Sequence, residues 1–143
     1  MKDQPIIITQ SFNVSVEKVW AAITTKEQMV QWFFNAIISF DATEGFETSF
    51  NIHNIGKDYL HVWKVLEVIP LHKIVYSWKY ADYAGDSYVV WELTTNQDIT
   101  TLTLTHNGQN SFPQDNPDFS RENCIAGWQM FINQRLKTYL GKV

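Results

Sequence analysis

KIVYSWKYADYAGDSYVVWELTTNQDITTLTLTH, residues 73–106, decides how this chain folds. It holds three runs rich in β-branched and aromatic residues, at 73–80, 88–95 and 100–106. Between them lie Ala84-Gly85-Asp86 and Asn96-Gln97-Asp98, residue types that accept turn geometry. Val89, Trp91 and Leu93 share one face of the second run, and Leu102, Leu104 and His106 share one face of the third. A period of two with short connections means an antiparallel meander that buries one side.

Working upstream, further strands are expected at 37–41, 46–53 and 60–69, with turns at Glu44-Gly45, Asn54-Ile55-Gly56 and Pro70-Leu71. Both faces of 60–69 are partly apolar, so its inner face stays open. Residues 6–14 also read as a strand. Ser15 can then cap a short helix carrying Val16, Val19, Trp20 and Ile23 at helical spacing. Thr25-Lys26-Glu27-Gln28 resembles a capping box for a second helix with Met29, Val30, Trp32 and Phe33. Helices this short need a surface to lie on.

Downstream, 111–117 is a loop with two prolines. Asn116 and Pro117 suit the start of a last helix, predicted over 116–140 and stopped by Gly141. Ile125, Trp128, Ile132, Leu136 and Tyr139 form its apolar stripe. The order is one strand, two short helices, six strands and one long helix, an α+β chain. A sheet with one buried face needs a cover, and the long helix supplies it.

The whole chain, 1–143, reads as a single domain, since 143 residues divide poorly into two cores. Apolar residues are 45% and charged residues 18%, a globular mix. The net charge of −4 offers no pull on nucleic acid or anionic membrane. One cysteine excludes an internal disulfide and a multi-thiolate metal site. No run reaches the roughly 18 apolar residues of a membrane span. Met1-Lys2-Asp3-Gln4-Pro5 leads into only three isoleucines, which is no signal peptide, so a cytoplasmic protein is expected. Six Trp, six Tyr and nine Phe imply a dense aromatic core or a pocket walled with rings.

Several segments, in order, match one family. Phe12, Glu17, Val19 and Trp20 fit an opening F-x-A-P-x-E-x-V-W, with Val14-Ser15 in place of Ala-Pro. Thr24, Glu27 and Trp32 follow. Val65, Glu67 and Pro70 fit V-x-E-x-x-P, and Tyr76-Ser77-Trp78 fits the next strand. Thr103 to Gly108 resembles an L-T-H-x-G close, and Gly127-Trp128 with Leu136 and Tyr139 resembles the final helix. Glu44-Gly45 keeps one of two usual glycines. By these segments the chain resembles the activator-of-Hsp90-ATPase-homologue family of the SRPBCC superfamily, whose fold is called START-like, Bet v 1-like or helix-grip. The resemblance implies a curved antiparallel sheet wrapped around a long C-terminal helix, with a cavity between them. It implies no single function, because the superfamily includes lipid carriers, receptors, cyclases, hydrolases and chaperone activators.

The candidate ligand-binding set is Trp20, Trp32, Phe33, Phe46, Phe50, Trp63, Tyr76, Trp78, Trp91, His106 and Trp128. The rings could line a pocket or simply fill the core. His106 is either a strand-end histidine bonded to a turn or a polar anchor at a pocket mouth. Glu92 is expected on the outer face; the opposite phase would bring a carboxylate inside, able to act as acid or base. Cys124 suits packing. Gly127 costs about 1 kcal/mol inside a helix, which either close helix–sheet packing or room for a ligand would offset.

The leading expectation is a non-enzymatic carrier of a small hydrophobic or aromatic ligand, without cofactor or metal. A chaperone (Hsp90-type) ATPase activator is the second. A cyclase- or hydrolase-like enzyme using a cavity His or Glu is the third.

Overall fold

The computed structural model describes residues 4–141. Met1–Asp3, part of the N-terminal stretch on which the expectation about a signal peptide rested, lie outside the described residues. Strands β1 (Ile6–Phe12), β2 (Glu47–Asn54), β3 (Lys57–Ile69), β4 (Lys73–Tyr80), β5 (Ser87–Asn96) and β6 (Ile99–Asn107) form one antiparallel sheet in the order β1-β6-β5-β4-β3-β2. Helices α1 (Val16–Thr24) and α2 (Lys26–Trp32) follow β1. A continuous helix over 121–141 ends the described chain: α3 (Arg121–Trp128), a π-helical stretch (Gln129–Leu136) and α4 (Lys137–Gly141). This is the α+β helix-grip arrangement.

The inner face of the sheet is built from rows of cross-strand neighbours. Ile74 pairs with Trp91, Trp91 with Leu104, and Leu104 with Ile8. The next row is Val65, Tyr76, Val89, His106 and Ile6. Nearly all of these side chains are buried to within a few per cent. Such pairs are the unit from which a sheet gains stability. Tyr59, His61, Trp63 and Val65 are the buried residues of β3, which settles the phase that its sequence left open. A bulge between Val65 and Glu67 then shifts the register, and bulges bend the strand that carries them.

The helix lies across this face and against β1, an edge strand. Arg121 donates to the carbonyls of Gln4 and Pro5, Asn133 to that of Thr9, and Lys137 to that of Ser11. The helix thereby covers strand-edge carbonyls that would otherwise invite pairing with another chain. Trp128, Ile132, Leu136 and Leu140 are its buried residues, each four apart. The i→i+5 bonds of the π-helical stretch widen the turn, so positions at this spacing stay on one face.

Three expectations are corrected. Residues 37–41 form no strand, so five strands rather than six follow the helices. Their apolar side chains pack inward instead: Ile37 is buried and Phe40 meets Trp63 and Tyr76 edge-on. The last helix starts at Arg121 rather than at 116. Asn116 caps only a 3-10 turn, Pro117–Phe119, which buries Phe119, and Ser120 caps the helix proper through Asn123 N. Ser15 does cap α1, but Thr25 makes no side-chain cap bond to α2.

Candidate functional site

A cleft of about 120 Å³ opens between the sheet and the C-terminal helix. His61, Trp78, Tyr80 and His106 form its sheet side, and Cys124, Gly127, Trp128 and Phe131 its helix side. Phe34, from the segment after α2, closes one end. Gly127 decides the shape. A Cβ built there meets nothing within 4 Å. Its missing side chain leaves room in the cleft, and close helix–sheet packing is not what it serves.

Hydrogen bonds with a forced direction hold the wall. Trp128 Nε1–H donates to His106 Nδ1 at 3.1 Å. An indole nitrogen only donates, so His106 Nδ1 carries no proton and Nε2–H faces Ser87 Oγ at 3.0 Å. Ser87 passes its own hydrogen to the Trp78 carbonyl at 2.6 Å. Trp78 Nε1–H donates to the Tyr80 hydroxyl at 2.8 Å. Helix and sheet are thus tied through His106 with both ring nitrogens in use. Burial pushes the His106 pKa down to about 4, so the ring stays neutral near pH 7. It anchors the wall and has no free nitrogen for acid–base work. Burial likewise raises the Cys124 thiol to about 11, which leaves it unreactive. Glu92 is exposed on the outer face, and no carboxylate lines the cleft.

Of the sequence-derived candidates, Trp78, His106 and Trp128 meet in this cleft. The others sit elsewhere. Trp20 is half-buried on α1, and Phe46 packs against Phe40. Trp32 donates its indole N–H to the Ala22 carbonyl and so ties α2 to α1. Phe50 stacks on His61. Phe33 stacks on Trp32 and Trp63 and meets Trp91, Trp128 and Phe131. Phe33 and Phe34 together fill much of the space between sheet and helix. Trp63 and Trp91 lie against them and Tyr76 packs on Trp63, Trp91 and Phe40; among the described residues the polar atoms of Trp63, Tyr76 and Trp91 are buried without a partner. Tyr76, a member of the candidate set, does not reach the cleft.

Sequence reasoning missed His61, Tyr80, Phe34 and Phe131. Alternation in β3 counted back from Trp63 would have placed His61 inside, and pairing of β3 with β4 sets it opposite Tyr80. Beside the cleft lies a second compartment of about 390 Å³. It is more polar, with Asn54, Tyr59, Asp118 and Asn123 in its wall. Tyr59 donates to Asp118 and accepts from Asn116 at 3.1 Å. Burial, then the bond to Asp118, raises its phenol to about 12. Among the described residues, no group of three or more His, Cys, Asp or Glu is placed to hold a metal ion, and no helix is long and apolar enough to cross a membrane.

The sheet, the gripping helix and the cleft between them define a helix-grip protein. Residues 13–141 match the family model described as activator of Hsp90 ATPase homolog 1-like protein, and the chain belongs to that family. Solved structures share the fold. A protein of Chromobacterium violaceum is 20% identical with a TM-score of 0.81, covering 98% of both chains. One of Mesorhizobium loti is 24% identical with a TM-score of 0.77, again over 98% of both. DynU16, from the dynemicin biosynthetic locus, is 24% identical with a TM-score of 0.75 over 97% of this chain, which spans 48% of that one. At these identities the likeness is one of fold. No curated protein matches.

Proposed function

We propose that the chain holds a small aromatic or apolar molecule in the cleft under Gly127 and performs no chemistry on it. The observation that carries this reading is the open space at Gly127, walled by Trp78, Trp128, Phe131 and Phe34. Small-molecule sites are concave, mostly apolar and carry a few placed polar groups. An apolar cavity of about 150 Å³ holds benzene, and the open-sided cleft is somewhat smaller at about 120 Å³, so it takes at most one ring and not a lipid chain. The acid–base readings at His106 and Glu92 are disfavoured, because His106 is fully bonded and Glu92 lies on the outer face. Chaperone activation, the activity in the family's name, calls for a partner-binding surface. The exposed apolar residues Leu60, Leu66 and Tyr88 on the outer face share that face with the charged side chains of Lys64, Lys79 and Glu92.

The test is native mass spectrometry of freshly purified protein, its denatured mass, and a thermal-shift panel of single-ring aromatics. Gly127→Leu, which fills the cleft, serves as the comparison. Extra non-covalent mass or a ligand-induced rise in Tm in the parent, absent in Gly127→Leu, is expected. A bare mass with a silent panel, or equal responses in both proteins, sinks the reading.

A further inference from the structure

His61 and Tyr80 are the two residues shared by the walls of the apolar cleft and the polar compartment beside it. Each has one hydrogen-bonding capacity unused. His61 Nδ1 lies 2.9 Å from the Tyr59 carbonyl. A carbonyl only accepts, so Nδ1 carries the proton and Nε2 carries a lone pair. Among the described residues, no bond is made to that Nε2. The ring is held still: it is 5% exposed, stacks on Phe50 at 4.9 Å and meets Tyr80 edge-on at 4.8 Å. The Tyr80 hydroxyl accepts from Trp78 Nε1, and its own hydrogen has no acceptor among the described residues.

We propose that His61 and Tyr80 read a hydroxyl on the ligand, so that the cleft takes a single aromatic ring bearing a phenolic O–H. This rests on the reading of the cleft given above. A phenol donates and accepts through one oxygen, so it can donate to His61 Nε2 and accept from Tyr80 O–H. An aryl ammonium or a bare carboxylate satisfies one of the two. Burial drives the His61 pKa down to about 4, which keeps Nε2 an acceptor near pH 7. Substituents beyond the hydroxyl would run into the compartment lined by Asn54, Asp118 and Asn123, so polar extensions fit there.

Phenol and toluene, nearly equal in size, are the probes. Titrations of each are followed by the fluorescence of the cleft tryptophans and by NMR shifts at Gly127. A wall with no placed polar groups favours toluene, because the phenol hydroxyl is desolvated without a partner. Phenol is therefore expected to bind the parent at least as tightly as toluene. In His61→Phe, phenol is expected to weaken about five- to tenfold more than toluene does, the scale of one net hydrogen bond. A clear toluene preference in the parent, or equal changes for both probes in His61→Phe, overturns the hydroxyl inference and leaves the cleft standing. Absence of binding by either probe overturns the cleft reading and this inference with it. The parent comparison needs no variant, so it stands if His61→Phe folds poorly.

Discussion

Trp63, Tyr76 and Trp91 are buried almost completely, and none of their polar atoms has a partner. Trp91 lies near enough to the Tyr76 hydroxyl to favour its ionised form but does not reach hydrogen-bonding geometry, and burial holds that phenol well above its ordinary value. Burying one such ring gains about 4–6 kcal/mol from roughly 150–250 Å² of area. Leaving one polar group unpaired costs about 1–3 kcal/mol. Packing therefore wins, and the hydroxyl of Tyr76 opposes it. Tyr76→Phe is expected to leave stability unchanged or raise it by about 1 kcal/mol, read from the urea midpoint at constant slope. Trp128→Phe makes the contrast: it strips His106 Nδ1 of its donor and is expected to lower stability by about 1–3 kcal/mol. A clear loss of stability in Tyr76→Phe would show that the hydroxyl has a partner after all.

At the scale of elements, the β2–β3 hairpin carries an evident local conflict. Asn54 pairs with Lys57, so Ile55-Gly56 is a two-residue loop, with φ of +46° and +78°. Such a turn wants Asn-Gly, since both central residues adopt positive φ. A β-branched residue there is strained, and Ile55 is 92% exposed, so packing gives nothing back. Ile55→Asn is expected to stabilise by about 1 kcal/mol, seen as a rise of a few degrees in Tm; no rise would mean that Ile55 makes contacts absent here. The dipeptide was legible as a turn because Asn54-Ile55-Gly56 holds two turn formers. The start of the last helix was not. Asn116-Pro117 is a sound cap signal, but burial of Phe119 in a 3-10 turn and the cap at Ser120 moved the boundary to Arg121. Residues 37–41 resembled a strand because apolar content alone cannot say whether a segment pairs or merely packs.

Across the whole molecule, legibility followed period. Residues 88–95 and 100–106 gave their inner face correctly, because alternation needs only the chain itself. That is why His106 was placed inside, while Trp128 came from the helix stripe and Trp78 only from the wealth of aromatic residues. Phe33 was read with the apolar residues of the second helix, but Phe34 follows the end of α2, where no period applies, so its place in the interior had no signal in the sequence. His61 was hidden by apolar residues on both faces of β3. The two inward histidines, His61 and His106, now tie global stability to pH. Burial lowers both from 6.5 to about 4. Between those values the unfolded chain binds protons that the folded chain refuses, so stability rises with pH across that window. It is complete above pH 6.5 and drains away as pH falls toward 4. The interval is worth roughly 3 kcal/mol per histidine at about 1.4 kcal/mol for each unit of pH, a large share of the 5–15 kcal/mol typical of a domain. Asp58, the carboxylate lowered by His53 and Asn51, is exposed and acts below 3.8, outside the window. Denaturant midpoints taken at pH 7.5, 6, 5 and 4.5 should therefore fall steadily below pH 6.5. His61→Phe should lose about half of that slope, since His106 still resists its proton. A flat profile from pH 6.5 to 4.5 would mean that both rings reach water in the folded state. The wall built on neutral imidazoles would then need a different account.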